Sequence, residues 1–318
     1  MIKLIKNRSD IGAGTRGSDM GIDAMEIAAI NMGSEFFNLH PYEDVETHNE
    51  TVYNKDKNTF AKRIEQVLEQ CRRVADAVAD AIEAGYTPIV LSGDHSSALG
   101  TLSGISTANS AGELGVIWID AHADIHSPFT SPSGNIHGMP LAAALSIDNK
   151  ENQINEIPPE TIELWNQMKQ IRAAHPKLQA DKLVYFGVRD LEPAEAFLIE
   201  KKSIRNISVE EVRFIGVRKC VEQALYQLRN CPQIYISFDV DSLDSDGVSD
   251  GTGTPVPKGF DIKEVLKIIE LIIASGKVTC MEIVEINPLL DRRGNKMAEA
   301  AFEILEHATR NLLTAQQS

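Results

Sequence analysis

Short apolar runs alternate with longer stretches of helical period from one end of the chain to the other. The runs at 88–91 (PIVL), 116–119 (VIWI), 183–186 (LVYF), 234–238 (IYISF) and 278–286 are rich in β-branched and aromatic residues and apolar on both faces. That pattern predicts buried strands of a parallel sheet, because a strand covered by helices on both sides has no polar face to show. Between the runs lie segments such as 58–84. There Phe60, Ile64, Val67, Leu68, Cys71, Val74, Val78 and Ile82 fall on one helical stripe, and Gly85 supplies the stop. Strand–helix alternation throughout predicts an α/β chain with a doubly wound sheet and helices on both faces. No linker, low-complexity tract or repeat divides it, so residues 1–318 read as a single domain. The polar stretch 146–181 reads as an insertion with its own helix around 161–174.

Charge narrows the partners. With 31 Lys+Arg against 46 Asp+Glu, the net charge is -15, which argues against nucleic acid or an anionic membrane surface as a partner. The opening MIKLIKNRSDIG lacks the apolar core of a signal peptide, and the greasiest stretch, 265–273, is interrupted by Lys267 and Glu270. Cys71, Cys220, Cys231 and Cys280 show no CxxC spacing and sit in apolar surroundings. They read as buried free thiols of a cytoplasmic protein, not as a zinc cluster.

The chemistry concentrates in three segments, each just after a predicted strand: SGDHS (92–96), DAHADIHSPFTSPSGNIHG (120–138) and SFDVDSLD (237–244). In a parallel sheet, ligands bind beyond the carboxyl ends of the strands, so the three can converge on one crevice. Asp239 and Asp241 are two apart and share a face, and Asp120, His122 and Asp124 repeat the spacing. With His95 this gathers four carboxylates and two imidazoles. Such a cluster repels itself unless cations neutralise it, and two divalent ions balance four carboxylates. Hard oxygen donors with one imidazole per ion suit manganese. The two ions would lie ~3.5–4 Å apart and share a bridging water, acidified into a hydroxide nucleophile.

An isolated Asp-x-Asp after a strand is ordinarily a solvated loop or a helix cap. Three charged elements after three strands point instead to a site. His40, His48, His175 and His307 stand alone and read as surface or packing residues. The stretch Gly12-Ala13-Gly14-Thr15-Arg16-Gly17 matches GxGxxG, but a dinucleotide site needs the helix to open within the motif. Here the loop continues to Gly21 before a helical 22–30, so it reads as a glycine-rich loop at the mouth of the crevice.

Taken in order, the glycine-rich loop, GDHS, DAHAD, SGNIHG, FGVRDLEP, DVDSLD, TGTPV and VEINP resemble the ureohydrolase family, the arginases and agmatinases. The resemblance covers nearly the whole chain and is closest to the arginases. It implies a three-layer α/β/α, mainly parallel sheet of the arginase/deacetylase type. It also implies hydrolysis of a guanidinium to urea and an amine, with L-arginine as substrate and L-ornithine as the amine. On that resemblance His95, Asp120, Asp124 and Asp239 bind one manganese, while His122, Asp120, Asp124, Asp239 and Asp241 complete the second. Two manganese ions per chain and a homo-oligomer, trimer or hexamer, follow from it as expectations.

The implied roles fit the chemistry. A guanidinium is resonance-stabilised and a poor electrophile, so its hydrolysis needs a strong nucleophile and a proton for the departing amine. His137 in GNIHG is the proton shuttle, since imidazole trades protons near neutral pH. Glu285 in VEINP pairs with the planar guanidinium, and Thr254 in TGTPV resembles the threonine beside it. Ser133 and Asn135 match residues that hold the α-carboxylate of arginine, a group agmatine lacks. Val256 stands where agmatinases carry Glu. Three positions depart from the arginase pattern: Glu192 replaces the Asp facing the α-amino group, His126 replaces an Asn, and Lys258 replaces a glycine. These departures leave the metal ligands intact. They open the alternative of agmatine or another guanidino acid as substrate, and a non-catalytic metal-binding relative is the remaining class.

Overall fold

In the computed structural model, which describes residues 1–55, 58–108, 114–173 and 176–316, eight strands form one sheet. They are β1 (Ile2–Asn7), β2 (Tyr42–Asp44), β3 (Thr87–Ser92), β4 (Leu114–Ile119), β5 (Leu183–Phe186), β6 (Arg205–Ile207), β7 (Gln233–Asp239) and β8 (Val278–Val284). Their order is β2-β1-β3-β8-β7-β4-β5-β6, and every neighbouring pair is parallel. The sheet expected to be mainly parallel is therefore parallel at each described pairing.

Alternation along the strands splits the core into two layers. Ile117 and Ile119 face one, and Val116 and Trp118 face the other. Helices Gly21–Asn31, Val209–Ile215, Val217–Gln227, Ile262–Ile273 and Lys296–Ala315 cover the first face. Helices Ile64–Glu83, Ala98–Ala108, Pro140–Ala144 and Pro159–Lys169 cover the second. This is the three-layer α/β/α arrangement. Each large side chain fully buried between the layers, Trp118 and Phe238 among them, contributes roughly 1.5–3 kcal/mol through removal from water.

Three departures from the pattern-based reading have local causes. The edge strands β2 and β6 are three residues each and polar (YED, RNI), so no apolar run marks them. Short polar edges also discourage pairing with another chain. The helix expected over 58–84 begins at Ile64, because Arg63 adopts a left-handed conformation (φ 56) and the Lys62 amide donates to Gly134 O at 2.8 Å. The insertion's helix runs Pro159–Lys169, earlier than 161–174, since Pro159 occupies the first helical position; Ala174 and His175 lie outside the described residues. Gly85 does end its helix, at φ 81.

All four cysteines are buried, and no disulfide joins any of them. No helix among the described residues is long and apolar enough to cross a membrane. His40 packs on Phe36, His48 lies between Glu46 and Glu50, and His307 is 3.7 Å from Glu270, all away from the residues gathered below.

Candidate metal centre

Four adjacent central strands, β3, β8, β7 and β4, deliver their carboxyl ends to one place. Register sets the depth. Ile119 pairs with Phe238, and Asp239 with Val284, so Asp120 and Asp239 emerge level with one another and Glu285 one residue beyond them. His95 opens the turn that follows β3, and Asp241 lies in the turn after β7. The Asp120 carboxylate accepts the His122 amide at 2.7 Å, and Asp239 accepts the Asp241 amide at 2.8 Å. Each two-residue spacing is thus a side chain closing its own turn. Asp124 departs from extended geometry, with φ 50, as does Glu285, with φ 68. Neither is glycine, and left-handed backbone at such residues is held only by surrounding structure.

Two sets of ligand atoms result among the described residues, one of His95, Asp120 and Asp239 and one of Asp120, His122 and Asp241. Asp120 belongs to both. His95 Nδ1 lies 3.1 Å from Asp120, 3.0 Å from Asp124 and 3.2 Å from Asp239, while His122 Nδ1 lies 2.9 Å from Asp241. His95 is held from behind. Its ring stacks on Trp118 with centroids 4.1 Å apart, Nε2 meets Ser237 Oγ at 2.7 Å, and the Trp118 indole donates to Asp120 at 2.9 Å.

These residues fit a divalent metal. With the Nε2 proton given to Ser237, Nδ1 presents a lone pair to three carboxylate oxygens, and it makes no directed hydrogen bond of its own although buried. A cation is what lone pair and oxygens have in common. The carboxylates carry the same message. Burial and Asp120 push Asp124 up to about 6, and burial, Asp241 and Asp120 raise Asp239 well above the usual range. Burial raises Asp241 against the pull of His122, and only Asp120, its burial outweighed by His122 and His95, is held low. Buried acids pushed toward neutrality by one another are stabilised as anions when positive charge is supplied.

The cleft above the cluster is lined by His122, Asp124, His126, Ser133, His137, Gly138, Asp190, Glu192, Glu195, Asp239, Asp241, Thr254 and Glu285. Glu285 Oε1 accepts the His95 amide at 2.9 Å and faces His137 Nδ1 at 3.0 Å. Burial works against protonation of His137, but Glu285 outweighs it and lifts the imidazole to about 9. Thr254 donates to Asp241 at 3.1 Å. Glu192 and Glu195 lie 3.1 and 3.6 Å from His126 Nε2, and burial pushes His126 down to about 4.

Of the candidate site residues read from sequence, His95, Asp120 and Asn135 do not line the cleft: His95 and Asp120 are buried within the cluster, and the Asn135 side chain accepts from Lys62 and lies against Gly14. Sequence reasoning passed over Asp190 and Glu195, both of which line it. Glu195 is buried, and that burial lifts it to about 7, while Asp190 is 3.6 Å from His122 Nε2. The signal for Glu195 was its place three residues after Glu192, a capping box across Pro193. Lys258, where the family pattern has glycine, sits at φ 64, the conformation glycine adopts at least cost. The GxGxxG stretch opens no helix, since helix Gly21–Asn31 starts beyond it.

Known proteins are similar to this chain in sequence and fold. A model of the arginase family matches residues 2–310. Arginase from Bacillus subtilis (strain 168) is 34% identical over 307 residues, covering 96% of both chains. Among solved structures, Bacillus caldovelox arginase superposes with a TM-score of 0.82 at 33% identity, over 96% of this chain and 97% of that one. Bacillus cereus arginase gives 0.81 at 31%, with the same coverage.

Proposed function

The chain belongs to the arginase family of hydrolases, and from that premise we propose that it hydrolyses the guanidinium of L-arginine to L-ornithine and urea with two manganese ions. The observation that carries this reading is one cleft holding two histidine–carboxylate sets that share Asp120, with Glu285 and His137 beside them. His95, Asp120, Asp124 and Asp239 would hold one ion, and Asp120, Asp124, His122, Asp239 and Asp241 the other. Bound divalent ions supply Lewis-acid chemistry, making water a competent nucleophile at neutral pH.

The chain's own residues do the rest. Glu285 Oε1 is engaged by the His95 amide and His137, so Oε2 has the capacity to receive a guanidinium N–H and orient the planar group. Collapse of the tetrahedral carbon expels an amine that must be protonated. His137, protonated up to about pH 9 beside Glu285, is the donor for that step. Asp124 is proposed to align the attacking water as well as to bind metal. Ser133 in the lining, with Asn135 behind it on the same loop, is proposed to receive the α-carboxylate, with Glu192 and His126 toward the α-amino end and Thr254 steadying Asp241.

A second reading rests on the rim. Asp190, Glu192 and Glu195 line it, and no Lys or Arg lines the cleft among the described residues. That balance favours a guanidino compound whose far end is cationic and carries no carboxylate, such as agmatine. Urea release from arginine, agmatine and 4-guanidinobutyrate by the manganese-loaded protein decides between them. A kcat/KM highest for arginine supports the arginase reading; a preference for agmatine replaces it, and no urea from any of the three overturns both.

A further inference from the structure

Lys62 and Arg63 are absent from the lining of the cleft, yet each grips one of the two loops at its mouth. Arg63 Nε donates to Ile11 O at 2.5 Å, and its Nη2 donates to Ala13 O at 2.9 Å. Gly12, held between those carbonyls, donates its N–H to Asp94 at 2.9 Å and accepts the His137 amide at 3.2 Å. Asp94 also caps the turn that carries His95, through the Ser96 amide at 2.9 Å. Lys62 works on the other loop. Its amide donates to Gly134 O at 2.8 Å, and its Nζ donates to Asn135 Oδ1 at 3.2 Å.

Neither loop has slack. A Cβ on Gly12 would lie 2.5 Å from Ser96 Oγ, and one on Gly134 would lie 2.2 Å from Thr59 O. The left-handed backbone of Arg63, φ 56, is the third sign. A non-glycine residue enters that region under outside constraint, and here it lets consecutive residues address different loops.

We infer that Lys62 and Arg63 are positioning residues that form a two-pronged latch. Arg63 sets His137 through Gly12, and Lys62 sets Asn135 and Ser133 through Gly134. The two prongs therefore govern different parameters: Arg63 the proton-transfer step, and Lys62 the grip on the far end of the substrate. This division of labour rests on the function proposed above, whereas the mechanical part of the latch does not.

The test uses the manganese-loaded protein with Arg63→Ala, Arg63→Lys, Arg63→Gly and Lys62→Ala, metal content being measured for each. Arg63→Ala is expected to lower kcat about tenfold to a hundredfold, the scale of a misplaced catalytic group, with KM for arginine within about twofold. Lysine reaches one carbonyl and not two, so Arg63→Lys should retain part of that kcat. Arg63→Gly removes the backbone strain and should still lose as much kcat as alanine. Lys62→Ala is expected to raise KM about three- to tenfold with kcat within about twofold. Amide hydrogen exchange gives the readout independent of activity. It should quicken over 10–14 and at His137 in the Arg63 variants, and over 133–135 in Lys62→Ala. Unchanged exchange in both loops overturns the latch, as does an equal loss of kcat and KM in both series. Should Arg63→Ala fail to fold, Arg63→Lys carries the same decision. If the wild type releases no urea from arginine, the proposed function fails, and the exchange pattern alone decides the latch.

Discussion

The floor of the cleft and its rim are built on different principles. On the floor, Asp120, Asp239 and Asp241 have side chains no more than 4% exposed and are fixed by strand register and by their own amides. On the rim, Glu192 and Asp190 have side chains 49% and 64% exposed, and they stand on loops. Floor charges sit where little water screens them, so each missing partner is felt strongly; rim charges compete with solvent and contribute little each. Of the family-pattern departures, Glu192 and His126 line the cleft from loops, while Lys258 lies on a loop outside that lining. On the function proposed above, the floor would set which bond is broken and the rim which molecule presents it.

The sharpest way to break this division is Asp239→Asn. It removes a charge from the floor and should lower urea release on the order of 10⁵-fold or more, with fewer than two manganese ions retained per chain. Near-normal turnover with full metal content would move the centre elsewhere. Next comes His137→Ala, which should cost roughly 10²–10⁴-fold in kcat while both metals stay bound, because His137 belongs to neither set of ligand atoms. Normal turnover in a fully metallated variant removes the shuttle role.

The same pair of proteins gives a pH test. The folded-state pKa of His137, about 9, lies above the ~6.5 of an unfolded histidine. Its contribution to stability is therefore fully present below pH ~6.5 and lost as pH rises through about 9. Melting curves of metal-free wild type and His137→Ala should converge across that window. A constant gap up to pH 10 would mean that the Glu285 pairing does not raise this imidazole.

At the rim, Asn135→Ala should reduce kcat/KM for arginine by about tenfold to a hundredfold more than for agmatine, the worth of one hydrogen bond to a charged group. Equal losses would remove Asn135 from carboxylate recognition. The smallest effects belong to Glu192→Asp and His126→Asn, each expected to change KM less than about fivefold with kcat unaltered. A large kcat effect from either would erase the boundary between the two regions.

The floor was readable in sequence because its spacing is a consequence of backbone geometry. A strand end followed by Asp-x-Asp or Asp-x-His closes its own turn, and apolar runs announce the strands. The five central runs at 88–91, 116–119, 183–186, 234–238 and 278–286 each contain or overlap an observed strand. β2 and β6 were invisible for the opposite reason, being short, polar and at the sheet edges. The strand order was not readable either, since it depends on which crossover each helix takes. Residues 58–63 carry a helical stripe but are claimed by contacts with loops distant in sequence, which no local pattern encodes. Trp118 and Ser237 look like ordinary strand residues until His95 is seen against them. Asp190 and Glu195 became functional candidates only when the cleft's lining was known.

The left-handed backbone at Asp124 and Glu285 carries a consequence for anyone who selects variants of this protein. Glycine relieves a conformational cost of about 1–3 kcal/mol at either position, and at Asp124 it also removes a carboxylate repelled by Asp120. Heat challenge of a library without manganese should therefore enrich Asp124→Gly, while a screen for urea release should purge it. Heat tolerance and turnover are opposed at that one codon, so a stabilisation campaign that reads only melting temperature will march toward a dead enzyme.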